Sequence, residues 1–180
     1  MTSAPDGIGA IESARLALHL LGPGDEARLQ ALLEAGADYF QALAGQPGPA
    51  PDAAARELAG CAATPGRAVA ALTLLETGGD AGVLGWWRGS PEPDVALLGM
   101  LVMVPAHRGK GLAREALGAL EVWLAGQGVR ALRTAFPYRR TAIPPIVRAL
   151  GFREMSIAEH AKLGLRGAGT SLWEKPLGAR

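Results

Sequence analysis

Residues 97–120, LLGMLVMVPAHRGKGLAREALGAL, constrain the fold more than any other stretch. Leu97 to Val104 is an apolar run with no polar alternation, which predicts a strand covered on both faces. Pro105 should end it, because proline cannot donate to a ladder. His107, Arg108, Gly109, Lys110 and Gly111 then form a basic, glycine-bearing turn. From Leu112 the period becomes 3.6, with Leu112, Ala113, Ala116, Leu117, Leu120 and Leu124 on one helical stripe. The stretch is expected to run strand, tight turn, helix.

Such a turn has the parts of an anion cradle. The first N–H groups of a helix lack intrahelical partners, and the helix dipole makes that end positive. Glycines let the chain bend and bring its N–H groups close to a ligand. Arg108, Lys110 and Arg114 add formal charge. Together these favour a phosphate or pyrophosphate.

Three phosphate-binding patterns compete. A P-loop needs G-x-x-x-x-G-K-[ST], yet Gly111 follows Lys110. A dinucleotide fingerprint needs a third glycine where Arg114 stands, and an acidic residue where Arg139 and Arg140 lie. The pattern [QR]-x-x-G-x-[GA], after a strand ending in V-x-P, fits Arg108 to Ala113 with Pro105 in place. The same residues also suit a plain strand–turn–helix whose glycines only make the turn.

At 180 residues the chain is expected to be one domain, with 1–13 a loose leader and 14–180 the domain. A chain of this size buries roughly 70% of its unfolded surface. A net charge of +1 argues against a nucleic-acid surface. The single cysteine, Cys61, excludes an internal disulfide and reads as a small apolar residue. The first residues, MTSAPDGIGA, lack the pattern of a signal peptide. No apolar run reaches the roughly 18 residues of a membrane span. A cytoplasmic location is expected, with neither nucleic acid nor membrane as partner.

The remaining elements follow from periodicity and punctuation. Arg15 to Leu21 alternates as a half-buried strand, with His19 facing solvent. Asp25 is a helix N-cap candidate ahead of Leu29, Leu32 and Leu33. Tyr39, Phe40 and Leu43 suit a second short helix, and residues 51–58 a third. Residues 60–67 read as loop. Residues 68–75 and 81–87 read as strands of a hairpin through Thr77-Gly78-Gly79-Asp80. Gly126-Gln127-Gly128 stops the long helix, and a strand from Val129 to Phe136 follows. A short helix from Pro144 to Leu150 precedes strands at 152–157 and 170–175. The path from the central strand through the long helix to Val129 is a βαβ crossover, so those two strands should be parallel. The fold class expected is α/β (α+β): a mixed, mostly antiparallel sheet with helices on both faces.

P-x-x-R-G-x-G-x-A at the centre of that element order, with Leu150-Gly151-Phe152 near the end, resembles the GNAT superfamily of N-acyltransferases. The resemblance covers Arg15 to Leu177. The opening, LLGPGDEARLQALLEAGADYFQALAG, is similar to a bacterial branch with small or uncharacterised acceptors. The resemblance implies acetyl-CoA as co-substrate, no metal, and a parallel strand pair that splays at its C-terminal ends. It implies that Leu101, Val102 and Met103 serve the pantetheine arm. It implies that Arg108, Gly109, Lys110, Gly111, Leu112, Ala113 and Arg114 hold the pyrophosphate.

The departures lie in the acid–base half of the site. Arg140 stands where the family often has Asn, and Val147 where it often has the Tyr that protonates the thiolate. Val95, Leu97 and Gly99 occupy the stretch where a base is often found. Tyr138 is the hydroxyl nearest the expected strand gap and is the candidate proton donor. Of Trp86 and Trp87, one should be core and the other could line the acceptor pocket; Trp123 and Trp173 read as core. Asp94 and His107 read as turn residues, His160 as surface, and Glu115 and Glu121 as solvated charge on the outer helix face. The resemblance implies transfer of acetyl to a primary amine of a small molecule or peptide, by a monomer or homodimer. The alternative is an acyl-CoA-binding module without turnover.

Overall fold

The protein is described by a computed structural model covering residues 11–140, 142–163 and 169–178. The first ten residues of the expected leader lie outside the described residues. Eight strands form one sheet: β1 (Ile11–Glu12), β2 (Leu16–Leu20), β3 (Arg67–Leu74), β4 (Asp80–Arg88), β5 (Val95–Met103), β6 (Ala131–Pro137), β7 (Arg153–Glu154) and β8 (Thr170–Pro176). Their order across the sheet is β1-β2-β3-β4-β5-β6-β8-β7. Every pairing is antiparallel except β5 with β6, as the crossover between them requires.

Six helices accompany the sheet: α1 (Glu26–Ala35), α2 (Ala37–Ala44), α3 (Ala53–Ala63), α4 (Leu112–Gly126), α5 (Ile143–Ala149) and α6 (Ile157–Lys162). Leu112, Ala116, Leu117, Leu120 and Leu124 of α4 pack on one face of the sheet with Leu16, Leu72, Leu84, Leu98 and Leu132. Leu29, Leu32 and Leu33 of α1, with Ala54 and Leu58 of α3, cover the other face against Val69, Ala71 and Val83. Two periodicities, 3.6 on the helices and 2 on the strands, thus sort the apolar residues into two layers. Helix α2 belongs to both: Phe40 packs with one cluster and Leu43 with the other.

Between α1 and α2 the chain passes close over β5. A Cβ on Gly36 would lie 2.1 Å from Val102 Cγ1, so only glycine permits this approach. That contact sets α2 beside the C-terminal half of β5.

Several expectations are corrected. The end of the leader is structured: Ile11 and Glu12 pair with Leu18 and Ala17, and Ile11 is buried. Helix α3 continues through Gly60 to Ala63, where loop was expected, because Leu58 and Cys61 keep its apolar stripe on the core. The strand expected at 152–157 is only Arg153–Glu154, and Ile157 opens α6. Ser156 and Glu159 form a reciprocal capping box there, a signal written in the sequence as S-x-x-E. Asp25 occupies the N-cap of α1, but its carboxylate accepts from the Gly22 amide in the preceding turn.

Glu115 and Glu121 are not simply solvated. Glu115 accepts from Ser13 Oγ, the Arg15 amide and Arg15 Nε, pinning β1 and β2 to α4. Glu121 accepts from Lys175 Nζ at 2.6 Å, joining α4 to β8. Asp94 is a turn residue, and it ion-pairs with Arg130. No helix among the described residues is long and apolar enough to cross a membrane.

Candidate active site

The site begins where two parallel strands stop pairing. Val95, Ala96 and Leu97 of β5 pair with Ala131, Leu132 and Arg133 of β6, and the ladder ends there. Thr134 Oγ1 donates to the Leu98 carbonyl at 3.1 Å, pinning the last point of contact. Beyond it β5 runs on to Met103 and β6 to Pro137 with a gap between them. The edge of β5 facing that gap carries backbone groups without a strand partner, open to hydrogen bonding by a ligand.

The gap widens into a cleft of about 750 Å3, within the range of small-molecule sites. Leu101, Val102, Met103, Arg108, Gly109, Gly111, Leu112, Ala113 and Arg114 all line it. The apolar run of β5 is therefore not covered on both faces along its whole length; Gly99 is exposed and Met100 and Leu101 are half-buried. A strand that lines a cavity carries the same apolar sequence as one buried in a core.

At one end of the cleft lies the N-terminus of α4. Gly109 and Gly111 have φ of 71° and 78°, a region that disfavours side chains, and Gly111 is the N-cap of α4. The N-cap glycine offers no capping side chain, which leaves the first N–H groups of the helix open to a ligand. A Cβ at Gly109 would meet nothing within 4 Å, and one at Gly111 only Arg15 Nη2 at 3.7 Å. The turn is thus an open cradle that any side chain at these two positions would begin to fill.

The basic residues of the turn are individually tethered. Arg108 Nε donates to the Met103 carbonyl at 2.9 Å, and its guanidinium pairs with Asp38 of α2. That pair holds the Asp38 carboxylate below its ordinary range. Arg114 Nη2 donates to the Ala149 carbonyl at 2.6 Å. Lys110 does not line the cleft; its Nζ turns back to the Ala106 carbonyl at 2.9 Å. Arg15, which sequence reading passed over, donates to the Lys110 carbonyl at 3.1 Å and adds a cation behind Gly111. Only the fold brings residue 15 to residue 111.

Tyr138 is not brought to the cleft. It follows β6 in a turn, is 71% exposed, and is absent from the cleft wall. β6 ends at Pro137, and the next residues turn toward solvent. Tyr39 lies in the wall instead, one turn of chain beyond the Gly36 approach. Among the described residues its hydroxyl has no hydrogen-bond partner, and burial, reinforced by the charge of Glu57, pushes its pKa up to about 12. Of the two cleft hydroxyls, Thr134 is already committed to Leu98. Val147 is an apolar, buried wall residue. Arg140 lies with its guanidinium against Gly45 at the end of α2, 3.0 Å from where a Cβ would be.

A second, smaller hollow of about 230 Å3 opens beside the first. Glu57, Arg67, Gly85, Trp86, Trp87, Leu97, Gly99 and Met100 line it. Gly99 and Met100 border both hollows. The reason is a bulge: Gly85 pairs with Met100 and Trp86 with Leu98, leaving Gly99 without a partner on β4. Trp86 is core, edge-on to Trp123, while Trp87 is partly exposed with its indole N–H on the Pro65 carbonyl. Burial pushes the Cys61 thiol up to about 11, which disfavours the thiolate form.

A family model described as the Acetyltransferase (GNAT) family matches residues 30–152. No protein of curated function matches the sequence. Among solved structures, an acetyltransferase from Thermus thermophilus is 27% identical with a TM-score of 0.72, over 94% of this chain and 100% of that one. A probable GNAT-family acetyltransferase from Chromobacterium violaceum is 22% identical with a TM-score of 0.73, over 98% and 95%. RimL, a ribosomal L7/L12 alpha-N-protein acetyltransferase solved with coenzyme A, shares the fold at 16% identity with a TM-score of 0.71, over 96% and 100%.

Proposed function

The chain belongs to the Acetyltransferase (GNAT) family, and from that premise we propose that it transfers acetyl from acetyl-CoA to a primary amine. The observation that carries this reading is the parting of β5 and β6 after Leu97 and Arg133, in line with the glycine turn at the start of α4. A thioester laid along that gap has its phosphates at the helix N-terminus and its acyl end at the bulge.

Each chain element then has a task. The α4 N–H groups, Arg108 and Arg114 hold phosphate oxygens, with Arg15 and Lys110 adding field. The free edge of β5 at Leu101, Val102 and Met103 hydrogen-bonds the amide-bearing arm, while Leu43, Ile143, Ile146 and Val147 line its apolar surroundings. The acyl carbonyl rests beside Gly99, where the bulge leaves backbone groups free to polarise it.

Tyr39 takes the role expected of Tyr138. With its pKa near 12, its hydroxyl stays protonated, and a thiol is acidic enough, at about 8.5, to leave as thiolate. Tyr39 therefore stabilises the departing sulfur by hydrogen bonding without giving up its proton. Most of the acceleration comes from holding amine and thioester together.

The test is release of free thiol from acetyl-CoA with a panel of amines. Amine-dependent release supports the reading. Tight acetyl-CoA binding with no release for any amine would identify a binding module instead.

A further inference from the structure

The hollow on the α3 side of the bulge meets the cleft at Gly99 and Met100. Its lining combines one charged pair with aromatic and apolar side chains. Glu57 and Arg67 ion-pair at 2.7 Å through Glu57 Oε2, with their side chains 19% and 36% exposed. Among the described residues the neighbouring Glu57 Oε1 accepts only from the Cys61 thiol, at 3.8 Å, too far for a strong bond. Trp87 pairs across the strands with Arg67 on one side and Leu97 on the other, so the three side chains share one face of the sheet, and Trp87 is held in orientation by Pro65. Arg67 lies against Gly60 of α3, 2.9 Å from where a Cβ would stand, so a glycine makes room for it.

Resting on the acyl-transfer reading, we propose that this hollow is the acceptor pocket. It takes a small primary amine with an aromatic or bulky apolar body and no carboxylate, and Glu57 is its proton acceptor. The charges decide the class. The arginine of the pocket is paired to Glu57 through Nη2, which weakens its attraction for an acidic group. Glu57 retains acceptor capacity on Oε1, which suits an ammonium. An indole face within the same hollow suits an apolar body and adds cation–π attraction for the charged form. A volume of about 230 Å3 excludes a folded segment of protein but admits one small side-chain-sized body.

The bound ammonium loses one proton to water by way of Glu57 Oε1. The amine lone pair forms the N–C bond to the acyl carbon at Gly99. As the nitrogen becomes cationic and acidic, its second proton passes to Glu57. The C–S bond breaks, its electron pair leaves on the CoA sulfur, and that thiolate accepts the Tyr39 hydrogen bond. Arg67 is a positioning residue: it fixes the Glu57 carboxylate by the Nη2–Oε2 contact.

The experiment has two arms. In the first, acetyl-CoA is added alone and the melting temperature followed. No rise in the wild-type protein would overturn the acyl-transfer reading, and this proposal with it. In the second, thiol release is measured at saturating acetyl-CoA with 2-phenylethylamine, L-phenylalanine, spermidine and a short peptide. The expected result is a kcat/KM for 2-phenylethylamine at least tenfold above each of the others. Glu57→Gln should lower kcat more than tenfold, with the acetyl-CoA shift unchanged. Trp87→Ala should raise the amine KM with kcat nearly constant. Gly99→Val should suppress turnover; a Cβ there meets only the Gly85 carbonyl at 3.8 Å, so the fold tolerates it. A normal acetyl-CoA shift with better turnover of phenylalanine, spermidine or peptide would overturn the proposal alone, whereas a normal shift with no amine turned over would overturn the acyl-transfer reading as well. A Glu57→Gln rate within twofold of wild type would also overturn the proposal alone.

Discussion

The Asp38 carboxylate on α2 accepts both terminal nitrogens of Arg108 at the edge of the cleft, with Nη2 to Oδ1 at 2.7 Å. The residue best placed to meet a phosphate is thus already paired to an anion of the same chain. Both side chains are substantially exposed, so the pair contributes about 0–1 kcal/mol to stability. An incoming phosphate competes with Asp38 for Arg108. Asp38→Asn should therefore tighten coenzyme A binding two- to tenfold in calorimetry while moving the melting temperature little. Weaker binding would mean that Asp38 orients Arg108 rather than occupying it.

Tyr39→Phe should lower kcat more than tenfold with acetyl-CoA affinity nearly unchanged, and Tyr138→Phe should leave the rate within about twofold. Burial and then the Glu57 charge raise the Tyr39 pKa to about 12. A raised pKa keeps the neutral hydroxyl present below the ordinary tyrosine value of about 10. The kcat–pH profile should accordingly show no fall from this group below about pH 10.

Arg133 is 4% exposed in β6, facing Glu174 at 2.8 Å and Glu92 at 3.4 Å. Removing one partner of a buried pair leaves an uncompensated charge, typically at a cost of about 3–5 kcal/mol. Glu174→Ala should destabilise the protein toward the low end of that range, since Glu92 remains. Urea unfolding would check it; a loss under about 1 kcal/mol would show that Glu92 alone suffices.

Asp80 at the start of β4 accepts from Arg28 of α1 and from Thr73, and these hydrogen bonds hold its pKa below the ordinary value. A depressed carboxylate adds stability that is present above its unfolded pKa of about 3.9 and is lost as pH falls through the lower folded value. Urea midpoints of wild type should drop below about pH 4 more steeply than those of Asp80→Asn. Parallel curves would contradict this.

The parts of this molecule set by neighbouring residues were legible in the sequence. The strand–turn–helix around Arg108 to Ala113 follows from a change of period and two glycines, and the β5–β6 crossover follows from it. The parts set by tertiary approach were not. Tyr39 reaches the cleft only because Gly36 lets α2 lie on Val102, and Arg15 reaches Gly111 only through Glu115. Glu57 and Trp87 share a hollow because of a bulge at Gly99, which a run of apolar residues conceals. Tyr138 is close in sequence to the strand gap, yet the turn after Pro137 faces it to solvent. The capping box of α6 was readable as Ser156-x-x-Glu159, but Phe152 to Ile157 also suited a strand.

Acetyl-CoA is proposed to lie in the β5–β6 cleft with its phosphates on the α4 turn. Calorimetric titration of wild type and Gly111→Glu with acetyl-CoA tests it most directly. The substitution puts a side chain and a negative charge into the cradle at a position with φ of 78°, where strain of about 1–3 kcal/mol is expected. The predicted result is saturable one-to-one binding in wild type and at least a thirtyfold loss in a variant that still unfolds cooperatively. Equal affinity in a folded Gly111→Glu protein would contradict the placement of the site.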